Sequence, residues 1–147
     1  LFYDDLRTAT GLSLSDEQIR DAWNALLLDF RPESIAVIPQ LKEKYELYLL
    51  SNTNEIHIEA VYDMLRADHG MDRFDPLFDR IFYSHEMGLA KPSPEIYEQM
   101  LAEIGAKADR VIFFDDLEAN VKGAASVGIR AIQVTGPNVI FDFFGHV

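Results

Sequence analysis

Val111-Ile112-Phe113-Phe114-Asp115-Asp116 is the stretch that decides the fold: a continuous apolar run that ends on two adjacent carboxylates. A run that is apolar throughout, instead of alternating, predicts a strand buried on both faces, as in parallel sheets covered by helices. We place the strand over 110–114. Downstream, Leu117 to Val127 reads as a helix stopped by Gly128, and Ile129 to Val134 as a last strand before the Gly136-Pro137 turn.

The same strand-then-helix unit recurs upstream. Arg80 to Tyr83 reads as a strand, and Ser93-Pro94-Glu95 as a helix start with serine as cap and proline at the first helical position. The apolar stripe Ile96, Met100, Leu101, Ile104 carries that helix to Gly105. Earlier still, Glu46 to Leu50 reads as a strand and Ser51-Asn52-Thr53-Asn54 as the loop into a helix capped by Asn54 and ending near Gly70. Pro39 suits the first turn of a short helix through Lys44. Strands separated by helices predict an α/β fold with a buried parallel sheet flanked by helices.

Residues 1–31 differ in character. Phe2, Leu6 and Ala9 predict a short helix ended by Gly11, and Ser15 to Gln18 has the spacing of a capping box. Ile19, Trp23, Leu26 and Leu27 then recur at helical spacing, and Arg31-Pro32 marks the junction to the rest. The domains expected are therefore a helical hairpin over 1–31 and an α/β body over 32–147.

Composition narrows the function. The chain has 147 residues, 48% of them apolar, enough for one globular domain with a small appendage. A net charge of -12 argues against nucleic acid or an anionic membrane as partner, since both reward clustered Lys and Arg. Zero cysteines rule out disulfides and thiolate zinc sites, and are compatible with a cytoplasmic location. No apolar run reaches the roughly 18 residues of a membrane span.

The polar signatures at the strand ends define the candidate site. Asp115 and Asp116 repel one another at the end of an apolar strand, a cost that a hard cation such as Mg²⁺ offsets. The competing reading is that Asp116 merely caps the next helix. Asn120, one turn on, reads as an outer hydrogen bonder or a solvated helix residue. Ser51, Asn52 and Thr53 lie between a strand and a helix N-terminus, where free N–H groups favour an anion, or where small polar residues simply fill a turn. Lys91, stiffened by Pro92 and Pro94, could balance a phosphate and a carboxylate, or be a surface lysine. His57, His69, His85 and His146 show no metal-ligand spacing, and Phe141, Phe143 and Phe144 read as a lid over the core.

Leu49 to Asn54, Ser84 to Tyr97 and Phe113 to Val121 resemble three of the four motifs of the haloacid dehalogenase-like hydrolase superfamily. The chain is most similar to the subfamily with a small helical cap, and within it to sugar-phosphate phosphatases of the alpha-D-glucose-1-phosphate phosphatase type. The resemblance implies a Rossmann-like parallel sheet and a Mg²⁺-dependent phosphatase that acts on a small phosphorylated metabolite. By it Ser51 and Asn52 bind phosphate, Lys91 steadies the phosphate and the nucleophile, and Asp115 and Asp116 hold Mg²⁺. The family's first motif, with its nucleophilic aspartate, has no match here. Asp4-Asp5-Leu6-Arg7-Thr8 lacks the second acid and a preceding strand. The expectation is that 1–31 is part of the cap, that 32–147 is a core lacking its first strand, and that the native protein carries some tens of residues ahead of Leu1. The 147-residue chain alone should then be inactive. A metal-independent 2-haloacid dehalogenase and a non-catalytic module of the same fold are the alternatives.

Overall fold

The computed structural model describes residues 2–27 and 29–145, so the reading of His146 lies outside the described residues. The chain divides into two compact units, Leu1–Ile35 with Asn54–Arg73, and Ala36–Thr53 with Phe74–Val147.

The first unit is helical: α1 (Phe2–Thr10), α2 (Asp16–Asn24) and, from further along the chain, α4 (Glu55–His69), with α3 (Pro32–Lys42) beginning at its boundary. The capping box forms as its spacing predicts. The Gln18 N–H donates to Ser15 Oγ at 3.2 Å and the Ser15 N–H donates to Gln18 Oε1 at 2.9 Å. α2 is shorter than the apolar spacing suggests. The Leu27 N–H reaches back only to the Asn24 carbonyl, a tight turn that ends the ladder and leaves Leu26 and Leu27 outside the helix. α3 also departs from expectation. Pro32 takes the first-turn place, where its fixed φ starts the helix early, and Pro39 falls inside with one backbone donor lost. α4 is capped by Asn54, whose Oδ1 accepts the His57 N–H, and stops at Gly70 in the left-handed conformation.

The second unit holds the strands. β1 (Tyr48–Ser51) pairs in parallel with β2 (Arg80–Tyr83), Leu50 opposite Phe82, and β3 (Ile112–Asp115) pairs in parallel with β4 (Arg130–Gln133), Asp115 opposite Gln133. These are two separate two-stranded ribbons; among the described residues no ladder joins β1 to β3. The α/β class and parallel pairing agree with the sequence. Among the described residues β1 and β3 each keep one edge without a strand partner, the kind of edge that a protein normally pairs or covers.

The second unit also holds α5 (Ser84–Met87), α6 (Pro94–Ile104), α7 (Glu118–Ser126) and, after the last strand, α8 (Val139–Phe144). The polar segment Ser84 to Met87 gave no periodic signal, so α5 was not foreseen. Ser93 occupies the cap position of α6, but its hydroxyl bonds the Glu95 carboxylate and does not cap the backbone. The core packs Leu50, Phe82 and Phe113 of the strands against Ile96, Tyr97 and Met100 of α6 and Ala124 of α7. The rings of Phe143 and Phe144 lie 5.3 Å and 5.8 Å from that of Phe114, as expected for a lid. α7 approaches the 91–93 segment closely because residue 123 is glycine: a Cβ there would sit 2.3 Å from the Pro92 carbonyl oxygen.

Candidate active site

Two strand ends and one connecting segment converge in the second unit. Leu50 and Ser51 finish β1, Asp115 finishes β3, and Lys91 lies in the segment that leads from β2 through α5 to α6. The Lys91 ammonium donates to the Leu50 carbonyl at 2.9 Å and to Asp115 Oδ2 at 2.7 Å. It also lies 5.5 Å from the centroid of the Phe113 ring, a face that attracts a cation. The Lys91 and Asp115 side chains are only 9% and 4% exposed, so each removes a charge from water and the other offsets it.

Asp115 is further anchored through Oδ1, which accepts the Leu117 N–H and Asn120 Nδ2, both at 2.9 Å. Burial alone would push its carboxyl up. The Lys91 ammonium, the Leu117 N–H and the Asn120 amide together outweigh that and hold it below the usual carboxylate range. Asn120 is itself buried, and its carbonyl accepts the Tyr97 hydroxyl at 2.8 Å. Burial, with the Asp115 charge adding to it, pushes the Tyr97 phenol up to about 12, so it stays a neutral donor.

Asp116 stands exposed beside this cluster, and its carbonyl accepts Gln133 Nε2 at 3.0 Å. The capping reading for Asp116 does not hold. Leu117 occupies the cap position of α7, and its N–H goes to the Asp115 carboxylate. Asn52 turns its side-chain amide onto the Lys91 backbone, donating to the carbonyl at 2.8 Å and accepting the N–H at 2.9 Å. Thr53 and Ser84 form a second such contact: Ser84 Oγ accepts the Thr53 N–H and donates to the Thr53 carbonyl, each at 3.0 Å. The Ser84 contact was missed in the sequence, because nothing in a short polar segment says which backbone it will meet. Asp4 and Asp5 fall inside a helix, α1, and not at the end of a strand, and Asp4 accepts a bond from Arg7 at 3.0 Å.

Two carboxylates at one strand end suit a hard cation that keeps much of its water, the habit of Mg²⁺. Asp116 and the lone pair left on Asp115 Oδ2 would be the donors. No group of three or more His, Cys, Asp or Glu side chains that could cage an ion occurs among the described residues, so the remaining positions would fall to water and phosphate oxygens.

Known proteins resemble this chain over most of its length. A family model described as haloacid dehalogenase-like hydrolase matches residues 3–128. D-ribitol-5-phosphate phosphatase of Bacteroides thetaiotaomicron is 26% identical over 132 residues, which cover 90% of this chain and 64% of that protein. An enzyme of the same family from Bacteroides thetaiotaomicron, solved with magnesium and inorganic phosphate, superimposes with a TM-score of 0.82 at 36% identity, over 90% of this chain and 66% of that one. Its magnesium complex superimposes with a TM-score of 0.88 at 34% identity, over 97% and 72%. This chain thus spans about two thirds of the length of the relatives it matches.

Proposed function

The chain belongs to the haloacid dehalogenase-like hydrolase family, and from that premise we propose that it forms the phosphate- and metal-binding part of a Mg²⁺-dependent phosphatase. Its substrate would be a small phosphorylated metabolite, a sugar or polyol phosphate. The observation that carries the reading is the Lys91 ammonium held between the end of β1 and Asp115. A cation fixed there, on the carbonyl of the residue just before Ser51, is placed to share the charge of a phosphoryl group.

The residues then divide the work. Ser51 offers a hydroxyl to a phosphate oxygen, and Lys91 neutralises charge that builds on the equatorial oxygens. Asn120 and the Leu117 N–H hold Asp115 in orientation so that it, with exposed Asp116, can take the ion. When bound, Mg²⁺ supplies further charge neutralisation at the phosphate. The carboxylate pair favours phosphate over a metal-independent dehalogenation, which has no use for it. An intact Ser51, Lys91, Asp115 and Asp116 set weighs against a module without activity.

In this family the attacking group is an aspartate at a strand end. Among the described strands, Asp115 alone ends in a carboxylate, and it is committed to Lys91 and Asn120. We therefore assign the nucleophile to a further strand beside β3, with 1–31 as part of the cap and 32–147 as the core. A cytoplasmic setting belongs to the same proposal. No described helix is long and apolar enough to cross a membrane.

The test is phosphate release from p-nitrophenyl phosphate and from sugar and polyol phosphates, with and without Mg²⁺. It compares the 147-residue chain with a version extended upstream. Mg²⁺-dependent turnover by the extended protein and none by the 147 residues is the expected result. Turnover by the 147-residue chain would overturn the placement of the nucleophile, and metal-independent halide release by the extended protein would overturn the phosphatase.

A further inference from the structure

The loop that carries Ser51 and the segment that carries Lys91 are joined by reciprocal bonds. Asn52 spends both a donor and its acceptor on one residue, donating to the Lys91 carbonyl at 2.8 Å and accepting the Lys91 N–H at 2.9 Å. A carboxamide used in this way mimics a backbone rung and fixes both the position and the direction of the residue it grips. Each bond lies at the surface, where a single one would compete with water. The two together share one side chain's ordering cost.

Position matters more for lysine than for most residues. Its ammonium is a point charge on a flexible stem, so where it lands depends on where its backbone is held. Here it lands on two acceptors at once, the Leu50 carbonyl and Asp115 Oδ2. Leu50 is two residues before Asn52 in the same strand and loop. Both ends of Lys91, backbone and ammonium, are thus tied to one short piece of chain.

We propose that Asn52 is a positioning residue for Lys91, gripping its backbone so that the ammonium meets Leu50 and Asp115. Asn52 then acts through Lys91 by its side chain, not as a direct phosphate ligand through that group. The inference rests on the phosphatase reading for its purpose, though its geometry does not. Ser84 supplies the internal comparison. It joins the same two segments through Thr53 and makes no bond to Lys91.

The test follows the Lys91 ammonium directly, by ¹⁵N NMR of the 147-residue chain, measuring the exchange of its protons with water. In Asn52→Ala those protons should exchange about tenfold faster or more, and the Lys91 signal should lose its coupling to Asp115, while core amides such as Ile96 keep their protection. Asn52→Asp retains the acceptor for the Lys91 N–H and should fall between. Ser84→Ala should leave the ammonium as in the wild type. Exchange in Asn52→Ala within about twofold of wild type, or an equal effect of Ser84→Ala, would overturn the proposal. Should Asn52→Ala not fold, Asn52→Asp decides: faster exchange than Ser84→Ala supports the grip, and equal exchange overturns it. No turnover is needed for this measurement. An unmoved ammonium in a protein whose extended form is an active phosphatase defeats the grip alone; a loosened ammonium in one that hydrolyses no phosphate ester defeats the function alone.

Discussion

The Lys91 ammonium and the Asp115 carboxylate meet at 2.7 Å at the carboxyl ends of two ribbons that, among the described residues, share no backbone ladder. Through the Leu50 carbonyl the same ammonium reaches β1, so one cation ties β1 to β3 where hydrogen-bonded strands do not. That polar bridge is both a structural joint and the centre of the proposed site.

Removing the ammonium strands a buried carboxylate. Lys91→Met should destabilise the chain by about 3 kcal/mol or more, read from urea unfolding, because the loss of one partner leaves an uncompensated charge. Adding Asp115→Asn should restore part of the loss. A double variant less stable than Lys91→Met would show that the two residues are not coupled in this way.

The depressed Asp115 carboxyl fixes the sign of an acid effect. A group whose folded value lies below its unfolded one contributes stability that is complete above the unfolded value and is lost as pH falls through the folded one. The ordinary value is 3.8 and the folded one lies lower, so this contribution should fade below pH 3.8. Asp115→Asn should flatten the stability curve in that window. An unchanged slope would remove Asp115 from the account of acid unfolding.

In the helical unit, His57 stacks on Trp23 with ring centroids 5.5 Å apart and its Nδ1 lies 3.1 Å from Asn24 Oδ1. Burial holds its imidazole below the usual 6.5, so the ring is neutral at neutral pH. Trp23 is the single tryptophan, so its fluorescence should titrate with a midpoint below 6.5 and lose that titration in His57→Gln. By the same sign rule the stability of this unit should fall as pH drops below 6.5. A midpoint above 6.5 would contradict the buried, neutral ring.

Gly123 lets α7 lie against the segment just after Lys91. In Gly123→Ala the added methyl would meet the Pro92 oxygen at 2.3 Å and the Tyr97 ring at 3.0 Å. Backbone must shift, at a cost of about 1–3 kcal/mol in thermal or urea unfolding. A variant as stable as wild type would show that this contact is looser than the packing implies.

Much of this was legible before any coordinates. The continuous apolar run before Asp115, the Ser51 turn and the proline-flanked Lys91 predicted parallel strands whose polar ends approach one another, because period and turn chemistry are local properties. The bonds that organise the site are long-range and were not legible. Nothing local says that Asn52 will grip the Lys91 backbone 39 positions away, or that the Lys91 ammonium will choose the Leu50 carbonyl. Leu26 and Leu27 misled for the opposite reason: their spacing was helical, and a tight turn at Asn24 ended the helix before them. Pro39 misled because Pro32 offered an earlier start.

The most direct test of the central claim is a crystal structure of the chain soaked with magnesium and inorganic phosphate. The expected result is a phosphate within hydrogen-bond distance of Ser51 Oγ and Lys91 Nζ, with a metal ion on Asp115 and Asp116. A phosphate bound away from both Ser51 and Lys91, or a metal held by neither aspartate, would contradict it.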